Sequence, residues 1–517
     1  MSVDTLRETF HINRISTSDL QDFLTAQTYR PEITQAKNHI LSLKNCSLQA
    51  VCTKPIQQGK SPKYAEKGLK CIKPKNTNDM LVSIDDIDWI DSSTKDQIQK
   101  QKLAYGDIVI TRSGSGTIGR ASIYCYSEEA YTNDHLFVVR PDKADSHYIC
   151  SFLNSFHGQR LLEAGVSGST GQLNLSNEHI KSIPLFRPDD KVQKYIGDKV
   201  RQAEQLRAWA KSVQVKIKAY FDELMPDLDL KTNAYKTSID SLENRLDAIF
   251  YLPRYVDLDS YFATKSNKVR SLADYLENNI SGPAIPSNQF YSNGSGALVL
   301  QTKDIRENYI DQKTCAKITQ ENALDLKRFQ VSASTLLMGM SGTIGRTALL
   351  FDEADSFIIN QRVAALVLKD VKIAGYLCAY LNHSFGRLQL QRHSVGGVQA
   401  NIGLSEITSA KILVEDRMYA EKISELFIES LIANKLATAL TEAAKVLVES
   451  LIEGQLTEQQ LIQAQQALED GDNSLDQAIL SKLSAEGYAI EGATPLFSDV
   501  DELYSLLEEA AQAEAEE

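Results

Sequence analysis

Apolar positions along this chain switch between short runs of strand character and long stripes of helical spacing, and they do so twice in the same order. Gly106-Asp-Ile-Val-Ile-Thr-Arg112 is β-branched and bounded by glycine, which predicts a strand; Ala121–Tyr126 and His135–Arg140 predict two more. Tyr148 to Leu162 carries apolar residues at helical spacing and predicts a helix. Further on, Leu336–Met340, Arg346–Phe351 and Val363–Leu368 read as strands, followed by a helix from Ile373 to about Leu390. Residues 1–50 read as a helical or irregular lead-in.

Each set is followed by a much longer stripe. Val192, Ile196, Ala203, Leu206, Ala210, Val213, Ile217, Tyr220 and Leu224 fall almost entirely at steps of three, four or seven, the spacing of a coiled-coil seam, and Pro226 ends it. Leu426, Ala433, Ala437, Leu440, Ala444, Leu447 and Leu451 make a second stripe, with Gly454 as its C-cap. Either helix would be about 50 Å long at the usual rise per residue. Such helices, one after each globular copy, are expected to pair antiparallel and hold the copies apart. The alternative is two ordinary amphipathic helices, each packed on its own domain. Beyond residue 455 the chain is rich in Gln, Glu, Ala and Leu, broken at Gly471–Ser474 and Gly487–Pro495, and ends in the acidic stretch Asp499–Glu517. It is expected to be a solvated helical tail, or else a segment that docks on a basic partner surface.

The repetition extends to identical residues. Ser115-Gly-Thr-Ile-Gly-Arg120 returns as Ser341-Gly-Thr-Ile-Gly-Arg346, 226 positions later. Leu24-Thr-Ala26-Gln-Thr-Tyr29-Arg-Pro31 parallels Leu246-Asp-Ala248-Ile-Phe-Tyr251-Leu-Pro253; Leu153-Asn154 parallels Leu381-Asn382; Gln172-Leu-Asn174-Leu parallels Gln399-Ala-Asn401-Ile. A period of this length is a domain duplication, far too long for a solenoid. The copies are not identical: Ser334-Thr335 stands where the first has Gly106-Asp107.

Gly114-Ser-Gly116-Thr-Ile-Gly119 matches the glycine spacing of a dinucleotide loop, but that loop needs a helix directly after it. Here Arg120-Ala-Ser-Ile-Tyr follows, which is strand-like, and the second copy breaks the spacing. Gly116, Gly119, Gly342 and Gly345 are therefore expected to serve a tight β–β turn. No H-E-x-x-H, G-x-S-x-G or Asn/Asp-Pro-Pro-Tyr pattern occurs, and the acid-rich Pro188–Lys191 and Pro226–Lys231 are too compressed to make a nuclease centre. The expected chemistry is binding, with no catalytic residues, no metal and no cofactor on this chain.

The net charge of −13 argues against a nucleic-acid partner only until its distribution is considered. Residues 1–187 carry 22 basic and 20 acidic side chains, whereas residues 483–517 carry ten acids and no base. Seven scattered cysteines without a C-x-x-C pair read as free thiols of a cytoplasmic protein. No apolar run is long enough to span a membrane.

Lysines, arginines, hydroxyls and amides are the groups that hold phosphates and read base edges. The run from Lys54 to Lys75 holds seven lysines against the single acid Glu66, and offers Lys60, Lys63, Lys70 and Lys73 with Tyr64 among them. Around the first glycine turn, Arg112, Ser115, Thr117, Arg120, His135, Gln172 and Asn174 are the candidate contacts; around the second they are Lys303, Ser341, Thr343, Arg346, Gln361, Arg362, Gln399 and Asn401.

Taken together, Gly106 through Arg120, Asn133, Gly168 through Leu175, Ile183-Pro-Leu and Arg245-Leu-Asp-Ala-Ile-Phe-Tyr251 resemble the specificity subunit of Type I restriction–modification systems, over roughly residues 20–455. The resemblance implies an α/β (α+β) chain with two repeated target-recognition domains on mixed β-sheet cores, separated by a long antiparallel coiled coil. On this chain that means target-recognition domains at 1–187 and 240–414, spacer helices at 188–226 and 415–454, and an acidic helical extension at 455–517. It implies double-stranded DNA as ligand, with each domain reading half of a bipartite site and the helices spanning the unread spacer. Two modification (methyltransferase) subunits would dock, carrying S-adenosylmethionine themselves, and restriction or translocase subunits could join. The acidic extension lies outside the resemblance, and suggests either a variant phage-defence system or, from a different class, a stand-alone inhibitory protein whose tail mimics DNA.

Overall fold

The computed structural model describes residues 17, 20, 26–78, 80–114, 116–168, 173–232, 235, 236, 238, 239, 242, 245–291, 296–352, 356–395 and 400–516. They form two compact units: residues 1–208 with 433–517, and residues 209–432.

In the first unit, the strand Ile108–Thr111 is flanked antiparallel by Leu136–Val139 on one side and Ala121–Ile123 on the other, and Gln57–Gln58 extends the edge beyond Leu136–Val139. Its apolar character is explained by burial on both faces: all four residues of Ile108–Thr111 are buried. A second four-stranded sheet joins Leu69–Ile72 parallel to Ala130–Thr132 and antiparallel to Asp88–Ile90, with Tyr64–Ala65 at the edge. Ile72, Val82, Leu103, Val109, Tyr124, Leu136 and Val138 form the core between them.

The second unit repeats this plan. Thr335–Gly339 lies between Val363–Leu368 and Thr347–Leu350, with Leu276–Ser281 at the edge, and Ala297–Leu300 runs parallel to Phe357–Ile359 in the smaller sheet. The core repeats too, with Leu300, Leu337, Leu350, Val363 and Ala365 standing where the first unit has Ile72, Val109, Tyr124, Leu136 and Val138. The smaller sheets differ in one strand: Tyr64–Ala65 pairs with Asp88–Ile90, whereas Gln330–Val331 pairs with Phe357–Ile359.

The paired lead-ins fold alike. Ala26–Tyr29 and Ala248–Tyr251 are each one 3₁₀ turn, and Pro31 and Pro253 open the helices Pro31–Ser42 and Pro253–Thr264. The single helices expected after the strands are each two: Ser146–Asn154 with Phe156–Ala164, and Ala374–Asn382 with Ser384–His393. Ser155, in an extended conformation, ends one helix and caps the next, its Oγ accepting from Gly158 N; His383 is extended at the matching break in the second copy. Asn154 and Asn382 hold the ends of these helices to the glycine turns: their Nδ2 groups donate to the carbonyls of Ala121 and Thr347 at 2.8 and 2.7 Å.

The two stripes are continuous helices, Asp190–Leu224 and Arg417–Ile452. Val192, Ile196, Ala203, Leu206, Ala210, Val213 and Ile217 are buried, as are Ala433, Ala437, Leu440, Ala444, Leu447 and Leu451. Tyr220, Leu224 and Leu426 are only half-buried, and Phe221 and Phe427 take the interior positions beside them. Within the second unit the helices contact each other in antiparallel order: Gln214 Nε2 donates to Ser430 Oγ at 3.4 Å, and the rings of Tyr220 and Tyr419 lie 5.0 Å apart.

The C-terminal extension is not a solvated tail. It folds into helices Glu458–Glu469, Ser474–Leu480 and Val500–Glu516 with a small hairpin, and buries Leu461, Ala464, Leu480, Leu483, Leu503 and Leu506 in the first unit. Asp476 is held there by Lys199 Nζ at 2.7 Å and Tyr195 Oη at 2.5 Å from the first long helix, and by Tyr504. The acids of the last helix that face outward are Asp501, Glu508, Glu509, Glu514 and Glu516. Among the described residues no helix is long and apolar enough to cross a membrane.

Candidate nucleic-acid interface

Each repeat builds the same bracket beside its glycine turn. In the first, Arg112 N donates to the His135 carbonyl at 2.8 Å and Leu175 N to the Arg112 carbonyl at 2.9 Å, with Ser113 bridged to Asn174. In the second, Met340 N donates to the Arg362 carbonyl at 2.9 Å and Ile402 N to the Met340 carbonyl at 3.0 Å, with Ser341 bridged to Asn401. The loop that presents His135 or Arg362 is fixed from below by an asparagine: Asn133 Oδ1 accepts from His135 N at 3.1 Å, and Asn360 Oδ1 accepts from Arg362 N at 2.9 Å. These two asparagines were not among the expected site residues, although Asn-x-His and Asn-x-Arg stand at matching positions in the two copies.

The turn itself has the geometry expected of its glycines. Gly116 and Gly342 have φ of 72° and 74°, Gly119 and Gly345 of 82° and 80°, values that only glycine adopts without strain. The turn is thus a fixed scaffold. What differs between the brackets is the side chains. His135 Nδ1 lies 2.6 Å from Ser113 Oγ, whereas Arg362 Nη1 donates to Asn401 Oδ1 at 2.8 Å. Arg120 is committed to the turn, donating to Asn78 Oδ1 at 2.7 Å and to the Gly116 carbonyl at 3.1 Å. The half-buried Arg112 and Arg346 make no side-chain hydrogen bond or ion pair among the described residues, and Thr343 and Gln361 are exposed. Ser341 is buried, and Thr117 Oγ1 is buried without a hydrogen-bond partner among the described residues. Asn174 is half-buried on its strand. Ser115, Gln172 and Gln399 lie outside the described residues.

The lysine run is less basic in space than along the chain. Lys63 pairs with Asp91 at 3.0 Å, Lys73 with Asp88 at 2.9 Å, Lys75 with Asp86 at 3.0 Å, and Lys70 with Glu128. The Lys73 ammonium holds the Asp88 carboxyl below the usual carboxylate range. The Ser93 backbone N–H, and then Lys63, bring Asp91 to about 2. Tyr64 is exposed at the sheet edge, with Lys73 Nζ 4.5 Å from its ring centre and Asn133 Nδ2 3.5 Å from its hydroxyl. Lys60 is exposed, and among the described residues its hydrogen bonds are backbone ones, to Gln101. In the second repeat Lys303 Nζ is bound to Asp304 Oδ1 at 2.7 Å and to the Thr314 carbonyl. Sequence-local counting missed the acids because they arrive from residues 86–91 and from Glu128.

The fold and the bracket define a class: a duplicated α/β binding domain that carries polar loops on a rigid turn. Residues 44–218 match the family described as Type I restriction modification DNA specificity domain. The resemblance to Type I specificity subunits drawn from the sequence is supported over this region. Among solved structures, the chain is similar to the S subunit of a Type I restriction–modification system from M. genitalium, at 11% identity over 80% of this chain and 96% of that one, with a TM-score of 0.39. It is also similar to the HsdS subunit from Thermoanaerobacter tengcongensis, at 13% identity over 80% of this chain and 97% of that one, with a TM-score of 0.27. No curated protein sequence matches the chain.

Proposed function

We propose that this chain is the non-catalytic, sequence-reading subunit of a Type I-like restriction–modification complex, with each repeat reading one half of a bipartite double-stranded DNA site. The observation that carries this reading is the repeated bracket. The first copy lies in the region that matches a DNA specificity domain, and the second reproduces the strand order of its main sheet, its core positions and its asparagine-fixed loop while carrying different side chains. Different residues on one scaffold are what an asymmetric two-part target requires. In this reading the helices Asp190–Leu224 and Arg417–Ile452 pair as the spacer between the readers. Each is about 50 Å long, enough for half-sites one DNA turn apart at roughly 34–36 Å. The partners are two methyltransferase subunits, which supply S-adenosylmethionine, and restriction or translocase subunits.

We take Arg112 with His135 in the first repeat, and Arg346 with Gln361 in the second, as the base readers, and Lys60 as a phosphate contact; what supports this is that the two guanidinium groups make no hydrogen bond among the described residues and that His135, Gln361 and Lys60 are exposed. The test is to reconstitute the chain with a cognate methyltransferase subunit and sequence the methylated positions. Arg346→Ala should relax one half-site only and Arg112→Ala the other, each costing about 1–3 kcal/mol of discrimination. Equal loss at both half-sites from either change would reject separate readers.

A further inference from the structure

We propose that His39, His157 and Glu453 form a binding site for one divalent transition-metal ion of the zinc class, separate from the reading loops. The three residues come from different elements of the first unit: the last turn of helix Pro31–Ser42, the first turn of helix Phe156–Ala164, and the residue after helix Arg417–Ile452. One ligand atom from each lies within 4.8 Å of the other two.

The ligand atoms of the three side chains converge on one another. Glu453 Oε1 lies 3.1 Å from His157 Nε2 and 3.7 Å from His39 Nδ1, so two imidazoles converge on one carboxylate oxygen. His157 Nδ1 is buried and has no hydrogen-bond partner among the described residues, so Glu453 is the ring's polar contact. Two neutral imidazoles and a carboxylate are a ligand set that zinc accepts, with water completing a tetrahedron. The 37% and 48% exposure of the His39 and Glu453 side chains leaves that fourth position open to solvent. Tetrahedral bonds of about 2.0–2.1 Å place ligand atoms roughly 3.3 Å apart, between the 3.1 and 3.7 Å that separate Glu453 Oε1 from the two histidine nitrogens.

A second cluster, Cys125, His147 and Glu204, shows what a satisfied arrangement looks like. Glu204 accepts from Tyr105 Oη at 2.9 Å and from the Cys125 thiol, and its Oε1 lies 2.8 Å from His147 Nε2. Its carboxylate is saturated by three protein groups. It needs no ion.

The test uses the full chain, stripped with a chelator and titrated with Zn²⁺ alone by calorimetry and with Co²⁺ by absorption. One ion should bind per chain, raise the melting temperature, and give cobalt d–d bands without a thiolate charge-transfer band. His39→Ala, whose side chain is partly exposed, and the near-isosteric Glu453→Gln should each weaken Zn²⁺ on the order of 100-fold while leaving the metal-free melting temperature close to that of the parent. Having two variants keeps the result readable should either fail to fold. The proposal is overturned if Zn²⁺ does not bind, if both folded variants bind it as tightly as the parent, or if a thiolate band appears that Cys125→Ser removes.

Discussion

Removing the negative charge of Asp476 should detach the C-terminal extension from the first long helix at a large and specific cost. Asp476 and Lys199 are both fully buried, their side chains 0% exposed, and meet at 2.7 Å. The carboxylate also accepts from Tyr195 Oη at 2.5 Å and from Tyr504. In Asp476→Asn the amide oxygen can still accept from a tyrosine, but the ammonium is left buried without a counter-charge, a situation that costs about 3–5 kcal/mol. Asp476→Ala should cost more, since each tyrosine hydroxyl left unsatisfied adds about 1–3 kcal/mol. The double variant Lys199→Met/Asp476→Asn removes the stranded charge and should recover to within about 1 kcal/mol of the parent, because a buried pair replaced by apolar volume is often neutral. For a unit of this size, roughly 2 °C per kcal/mol translates Asp476→Asn into a melting temperature about 6–10 °C lower. Limited proteolysis during the melt should show the extension cut first. The reasoning fails if Asp476→Asn melts within about 2 °C of the parent, or if the double variant is no more stable than the single one.

Two further outcomes follow from local geometry. Ser334 has φ of 69° where the equivalent Gly106 has 84°, so Ser334→Gly should raise stability by about 0.5–1 kcal/mol in a denaturant titration, and a loss would show that the serine side chain is needed there. Glu129 is brought from 4.5 to about 2 by hydrogen bonds from Lys102 and Lys95 and then Tyr131. A lowered carboxyl contributes stability that is present above 4.5 and lost as pH falls towards 2, so Glu129→Gln should flatten the dependence of melting temperature on pH between those values.

The duplication and both long helices were legible because each rests on patterns that survive in one dimension. Repeated lead-ins such as Ala26–Tyr29 and Ala248–Tyr251 fold alike because Pro31 and Pro253 set the same helix start. The glycine turn was legible because Gly116, Gly119, Gly342 and Gly345 occupy conformations that few other residues tolerate. The electrostatics were not. Lys63, Lys70, Lys73 and Lys75 look like a phosphate platform along the chain, and strand pairing brings Asp86, Asp88, Asp91 and Glu128 to them. The extension misled for the same reason. Its acids are conspicuous in sequence, but the interior is set by Leu461, Leu480, Leu503 and one buried aspartate whose lysine lies 277 residues away. Arg120 is a candidate reader because it ends the repeated hexapeptide; that its guanidinium also braces the turn through Asn78 is something no local pattern announces.

We propose that two diverged copies of one scaffold read two half-sites. Sequencing of methylated DNA from a reconstituted complex, with the parent chain and with Arg112→Ala and Arg346→Ala in parallel, tests it most directly. The expected result is a bipartite motif with an unread spacer, in which each change relaxes a different half. Methylation independent of this chain, or a single contiguous motif that both changes weaken alike, would contradict it.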